Sequence, residues 1–384
     1  MQQNSLNPTT ISQNSAQTKV LLFVGPKPPP IGGSPLTVQA MLEELVFYPV
    51  VQIILINTSP ALDVRKKMTG FNFEKVGRSL SILPRYIHEI PHCDAVLVFA
   101  NDLFVITLVP PLLLIARLFR KPFYLKPVGA GLDLFIKAQK KIFREYLLSV
   151  LRATTGILTQ TRLLKEDLKR LGVTNTYYLP GCRPLRPTCP APEERTDDFR
   201  IIFLGHITRR KGPLLLLEAL KLLSQTYDQQ VICDFYGPIH NEIQDEFLER
   251  LSSVPNAHYC GVARPGSGVH LISQYDALVL PTYYDTEGHP GVLIEAMHAG
   301  VPVISTKVRT FPELITNGWN GFLVPPQNSC TLASAIRLLA LQPELREKMG
   351  QANYLKGSEF RAETVVAQML KIIFPDSAFV REQR

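Results

Sequence analysis

Pro281-Thr-Tyr-Tyr-Asp-Thr-Glu-Gly-His-Pro-Gly-Val-Leu-Ile-Glu-Ala-Met-His-Ala-Gly-Val-Pro-Val-Ile304 is the stretch on which the fold turns. The apolar run Ala277–Pro281 reads as a buried strand, and a polar loop follows it. A helix begins near Pro290, because proline is favoured at the first helical position, where its missing N–H costs nothing. Gly300 ends that helix and Pro302–Ser305 opens the next strand. Strand, loop, helix and strand in so short a span mark an α/β sheet. The loop then lies at the carboxyl edge of the sheet and carries Glu287, while Glu295 sits about one turn into the helix. Two carboxylates so placed suit the hydroxyls of a sugar and a ribose, and the free helix amides suit phosphate oxygens. The plainer alternative is that Glu295 only caps the helix or pairs with a neighbouring one.

The same alternation extends outward from this stretch. Strand candidates in the first half are Lys19–Gly25, Val51–Ile56, Asp94–Phe99, Pro122–Lys126, Gly156–Thr159 and Thr176–Leu179. The second half begins again with Arg200–Gly205, then Gln230–Tyr236, His258–Gly261, Ala277–Pro281, Pro302–Ser305 and Phe322–Val324. These runs are rich in Val, Ile and Leu without strict alternation, which suits parallel strands covered by helices on both faces. Between the halves, residues 184–198 hold four prolines and a closing run of charge, the best linker in the chain. The expected organisation is a disordered tail over 1–18, a Rossmann-like domain over 19–183, the linker 184–198 and a second Rossmann-like domain over 199–356. A C-terminal helix over 357–384, with its pattern running through Gln351–Phe374, is expected to pack back on the first domain. Two such domains leave a cleft between the carboxyl ends of their sheets, where ligands of α/β folds bind.

Composition supports this and excludes several classes. With 384 residues the chain exceeds one hydrophobic core, and 46% hydrophobic against 19% charged residues is globular rather than disordered. The six cysteines form no C-x-x-C pair and the histidines no H-E-x-x-H pattern, so neither a disulfide framework nor a metal site is expected. The longest apolar stretch, Leu103–Ala116, is interrupted by Pro110 and Pro111 and falls short of the ~20 residues a spanning helix needs. No secretory leader is read in the uncharged first 18 residues. Gly129-Ala-Gly-Leu-Asp133 mimics part of a dinucleotide fingerprint, but Leu134 occupies the last glycine position, and no phosphate-binding Walker loop is present. Charge is uneven: residues 1–180 hold 21 Lys and Arg against 11 Asp and Glu, the remainder 20 against 22. A first half this basic is drawn to anionic surfaces, and a solubilising surface is the plain alternative.

Two further loops carry candidate chemistry. Gly25-Pro-Lys-Pro-Pro-Pro-Ile-Gly-Gly-Ser34 places Gly32 and Gly33 after a strand, with Ser34 as the expected cap of a helix from Pro35. Gly205-His-Ile-Thr-Arg-Arg-Lys-Gly212 puts Arg209, Arg210 and Lys211 between a strand and a helix, a point-charge clamp for a diphosphate or a solvated basic turn. The segment Phe135–Arg152 mixes Lys137, Lys140, Lys141 and Arg144 with an apolar set, which suits either a core helix or an interfacial one.

The pair Glu287 and Glu295 within EGHPGVLIEAMHAGVPVI resembles the signature of retaining glycosyltransferases of the GT-B fold, glycosyltransferase family four, also called glycosyl transferases group 1. The likeness continues through FLGHITRRKGPLLLLEAL, YGPI, HYCGV and Pro312–Val324, covering residues 200 to 340 closely and 19 to 180 more loosely. The resemblance implies a nucleotide-sugar donor, UDP- or GDP-linked, on the second domain and a glycan or lipid-linked acceptor on the first. It implies catalytic roles for Glu287, Lys211 and Arg210. Donor contacts are implied at Gly33, Arg209, Val262, His289, Pro290, Gly291, Val292 and Glu295. It implies no metal, no resident cofactor and no nucleic-acid partner, and an enzyme of surface polysaccharide assembly; the unpaired cysteines suit a cytoplasmic location, and the basic first domain suits a peripheral contact to anionic membrane. Two departures stand out. His206 occupies a position where the family often has Arg, and Lys126-Pro-Val-Gly-Ala-Gly-Leu-Asp133 lacks the family's first-domain His, with Lys126 and Asp133 as the acceptor-side stand-ins. They motivate the rival reading, a non-catalytic partner subunit of a glycan-assembly complex, which intact Glu287, Glu295 and Lys211 oppose.

Overall fold

The computed structural model describes residues 18–29, 32–59, 81–185, 198–226 and 231–382. The expected tail and most of the expected linker lie outside them. The described chain holds two six-stranded parallel sheets. The first runs β2-β1-β3-β4-β5-β6, with β1 Lys19–Gly25, β2 Val51–Asn57, β3 Ala95–Ala100, β4 Phe123–Pro127, β5 Gly156–Thr159 and β6 Thr176–Tyr178. The second runs β12-β11-β10-β7-β8-β9, with β7 Phe199–Leu204, β8 Val231–Tyr236, β9 Ala257–Tyr259, β10 Ala277–Leu280, β11 Val303–Thr306 and β12 Gly321–Val324.

Side chains that alternate along a strand serve opposite faces. In β1, Leu21 and Phe23 pack with Val38 and Met41 of the helix Gly33–Leu45, whereas Leu22 and Val24 pack with Leu112, Leu147 and Leu164 from helices on the other face. All six residues of β3 are buried, as a strand covered on both sides must be. In the second domain, Phe203, Leu278 and Ile304 are enclosed by Leu217, Ile294 and Ile336 from three flanking helices.

The single C-terminal helix expected over Gln351–Phe374 is two helices, Pro343–Gly357 and Ala362–Ile373. A short turn, Ser358–Phe360, and the extended Arg361 separate them. The first packs on the second domain against the helix Gly291–Ala299. The last lies on the first domain, burying Val365, Val366, Met369, Leu370 and Ile373, a stripe at helical spacing. At roughly 1.5–3 kcal/mol for each fully buried apolar side chain, that stripe anchors the segment firmly. Gln368 Nε2 also donates to the Tyr178 carbonyl at 2.8 Å. The chain therefore crosses between domains twice, and the crossings touch: Arg183 N–H donates to the Phe360 carbonyl at 3.1 Å, and Ala362 N–H to the Arg183 carbonyl at 3.1 Å.

Candidate active site

In each sheet the strand order reverses at one place, between β1 and β3 and between β7 and β10. Loops leaving the carboxyl ends at such a point diverge and open a crevice. Here both crevices face each other across a cavity of about 780 Å³ lined by both domains. Gly32, Gly33, Asn101 and Lys126 come from the first sheet, and Gly205, His206, Lys211 and the loop 284–292 from the second.

The loop after β10 is held on all sides. Lys211 Nζ pairs with Glu287 Oε1, and the Thr282 hydroxyl lies 3.1 Å from Glu287 Oε2 and 3.1 Å from the Arg210 carbonyl. Gly212, at φ +78°, makes this approach feasible: a Cβ there would sit 2.2 Å from the Pro281 carbonyl oxygen. From beyond β11, the Thr310 hydroxyl reaches the carbonyls of Glu287 at 2.8 Å and Gly288 at 3.1 Å. The first domain also grips the loop, through Ala130 N–H to the Thr286 carbonyl at 3.1 Å and Gln160 Nε2 to the His289 carbonyl at 3.2 Å.

The helix that follows begins at Gly291, with Pro290 at its cap. Among the described residues the amides of Gly291 and Val292 have no hydrogen-bond partner, the ordinary condition of a first helical turn and a ready anion site. Glu295 lies one turn further along and lines the same cavity. Its burial pushes its carboxyl above the ordinary pKa, and the Arg183 guanidinium at 3.0 Å opposes that rise.

Residues 189–356 match the family model of glycosyl transferases group 1. The match covers the second domain, which is what the chain shares with that family. D-inositol 3-phosphate glycosyltransferase of Arthrobacter sp. (strain FB24) is 29% identical over 212 residues, which is 53% of this chain and 49% of that protein. Capsular polysaccharide biosynthesis glycosyltransferase CapM of Staphylococcus aureus is 27% identical over 155 residues, 40% of each. The chain thus spans about half the length, or less, of these curated relatives. Among solved structures, Anabaena Alr3699/HepE in complex with UDP superposes with a TM-score of 0.69 at 16% identity, over 92% of this chain and 98% of that one. The architecture is GT-B.

Around this cleft, the residues expected from sequence divide clearly. Glu287, Lys211, Glu295, Gly33, Val262, His289, Pro290, Gly291, Val292 and Lys126 line the cleft cavity. Arg209 and Arg210 do not. The three cations occupy a 3₁₀ turn, whose three residues per turn send them in three directions. Lys211 faces Glu287, Arg209 turns out to Glu246 at 2.6 Å, and Arg210 lies beside the Tyr284 ring at 5.5 Å. Asp133 is displaced too: fully buried, it pairs with Arg309 at 2.7 Å and Lys137 at 3.1 Å. The His289 side chain points away from the cavity floor, packing edge-on against Phe360 with its ring 3.6 Å from Glu313, so only its backbone is on offer. Ser34 does not cap its helix, which starts one residue earlier at Gly33.

Lys126 lies at the carboxyl end of β4, 3% exposed, with Nζ donating to the Leu179 carbonyl at 2.6 Å. Burial lowers its pKa to about 7. His206 is held below its ordinary pKa by desolvation and by the Lys211 charge. Sequence reading missed Gln160, Thr282, Thr310, Arg183, Arg309 and Glu313. Arg183 alone carried a signal, as an isolated cation in Pro180-Gly-Cys-Arg-Pro184 beside the domain boundary.

Proposed function

We propose that the chain transfers a sugar from a nucleotide-sugar donor to a glycan or lipid-linked glycan with retention at the anomeric carbon, in surface polysaccharide assembly. The observation that carries this is the alignment of Lys211–Glu287, the open Gly291 and Val292 amides and Glu295 along one wall of the cleft. Glu287 is the contact for the transferred sugar, Lys211 and the amides for the diphosphate, and Glu295 for the ribose. As the bond from the anomeric carbon to the diphosphate oxygen breaks, its electron pair leaves with the nucleoside diphosphate. The ammonium and the helix N-terminus meet that charge where it develops. The acceptor hydroxyl attacks from the same face and passes its proton to the departing phosphate. No metal and no resident cofactor are needed in this scheme, because fixed cations and amides supply the charge. The UDP in the HepE structure and the polysaccharide role in the CapM name favour a UDP-linked donor and a glycan acceptor.

The acceptor reaches the cleft from a membrane surface in this proposal. On the first domain, Leu114, Leu118, Ile142 and Tyr146 are exposed beside Arg117 and Lys141. Arg117 Nη2 ties their two helices together by donating to the Ala153 carbonyl at 3.1 Å. Exposed apolar side chains among cations fit the interface of an anionic bilayer at the cytoplasmic face. Among the described residues no helix is long and apolar enough to cross it.

Thermal unfolding with UDP, GDP and dTDP tests the donor assignment. A ligand at about 100 times its dissociation constant adds ~2.7 kcal/mol, which moves the midpoint by several degrees. One nucleoside diphosphate is expected to do so and its sugar conjugate to turn over in EDTA, with the product's anomeric configuration matching the donor's by NMR. No shift with any of the three overturns the assignment.

A further inference from the structure

Arg183 lines the cleft, yet its side chain is only 7% exposed. Its guanidinium donates from Nε to Glu295 Oε1 at 3.0 Å, and from Nη1 to Thr37 Oγ1 and the Cys182 carbonyl, both at 2.9 Å. Its backbone is fixed where the two crossings meet, so the guanidinium is rooted in the first domain while it grips a side chain of the second. Gly291 gives it room: a Cβ there would lie 1.7 Å from Nη2. A cation against the first residue of a helix opposes the helix dipole, and burying an ion pair costs desolvation. Neither effect stabilises the fold, so the value of the pair lies in what it holds.

What it holds is a carboxylate boxed from two sides. Oε1 faces Arg183, and Oε2 abuts Gly268, where a Cβ would sit 2.2 Å away. An ionised carboxylate offers about four acceptor positions, and the guanidinium takes one of them. We propose that Arg183 is a positioning residue for the donor's ribose. It holds Glu295 charged and aimed before the nucleotide arrives, so that the ribose hydroxyls meet a preset acceptor whose placement is set by the first domain through Thr37. This rests on the donor reading above.

The test is calorimetric binding of UDP and 2′,3′-dideoxy-UDP, or the guanosine pair should GDP be the nucleotide that binds. Wild type is expected to prefer the ribose form by about tenfold or more, the usual strength of hydrogen bonds to a charged acceptor. In Arg183→Gln that preference is expected to fall below about twofold, with nearly all the loss on the ribose form. Arg183→Lys recovers part of it, and Thr37→Val, which keeps the ion pair but loosens its anchor, falls between. A folded Arg183→Gln protein that keeps the wild-type preference, or that weakens both nucleotides equally, overturns the proposal. Should the Gln variant not fold, an unchanged preference in both Arg183→Lys and Thr37→Val overturns it instead. Wild-type protein that binds neither nucleoside diphosphate defeats the donor reading itself, a different result.

Discussion

Replacing Arg309 with Met tests what keeps the cleft closed. Arg309 belongs to the second domain and reaches three acceptors of the first: Asp133 Oδ2 at 2.7 Å, the Ala130 carbonyl at 2.9 Å, and Asp167 Oδ2. Its side chain is 18% exposed, Asp133 is 0% exposed and Asp167 10%. Breaking a buried pair by removing one partner costs about 3–5 kcal/mol, because the carboxylates stay behind. Lys137 remains on Asp133 and Arg170 on Asp167, but these cations are 48% and 74% exposed, and solvent-screened pairs return only about 0.2–1 kcal/mol each. The expected net loss is therefore at the low end, about 3 kcal/mol, or roughly a hundredfold in the equilibrium between clasped and open domains. Amide exchange reads it directly. The Ala130 N–H, bonded to the Thr286 carbonyl across the cleft, should exchange about a hundredfold faster in the variant, while the amide of Val98 inside β3 changes little. Arg309→Lys, which keeps a charge without the fork, should lie between. If Ala130 protection in Arg309→Met stays within about threefold of wild type, the clasp does not hold the domains and the argument fails.

Lys126 makes stability depend on pH in a stated direction. Its folded pKa of about 7 lies below the ordinary 10.5, so the unfolded chain binds the extra proton between those values and stability rises with pH across that window. The slope is at most about 1.4 kcal/mol per pH unit, and Lys126→Met should abolish it in denaturation measured from pH 7 to 10; stability that falls with pH in wild type contradicts this. Glu287→Gln and Lys211→Ala should each lower kcat by about a hundredfold or more, as steady-state turnover with the identified donor will show, and each should also lower the melting temperature because the partner left behind is largely buried. Gly212→Ala forces a side chain into the left-handed region and onto the Pro281 carbonyl, so it should cost at least about 1–2 kcal/mol in chemical denaturation and displace Lys211.

The fold was legible because its signals are local. Lys19–Gly25 and Gly156–Thr159 stand as strands over the very residues their apolar runs marked, and the other strands begin and end within two residues of theirs. Helices were less so. The segment Phe135–Arg152 breaks at residues 138–140 into Leu132–Lys137 and Lys141–Arg152, and Gln351–Phe374 breaks around Arg361, where tertiary partners override continuous periodicity. In the site, the stretch from Pro281 to Ile304 could be read because strand, loop and helix are contiguous and each has its own turn residue. The Arg209–Lys211 triplet could be seen but not resolved, since sequence does not say that a 3₁₀ turn will aim only one cation inward.

The residues that stayed hidden share one property. Arg183 meets Glu295 across 112 positions, Arg309 meets Asp133 across 176, and Glu313 meets the amides of Arg162 and Leu163 at 2.7 and 2.8 Å across 151 and 150. Each is a charged group that leaves one domain to satisfy a group of the other, and no periodicity announces such a pairing. Their targets are not scattered. Arg309 holds the segment whose Ala130 amide grips Thr286, Glu313 caps the helix that follows Gln160, and Arg183 grips the helix opened by Gly291. All three lead to the loop and helix start between Thr286 and Glu295. Apart from Lys211, the proposed donor wall is thus built from one contiguous piece of sequence but held in position by the other domain. Domain spacing and donor geometry consequently change together, and a variant that opens the cleft should weaken donor binding even where every donor contact is intact.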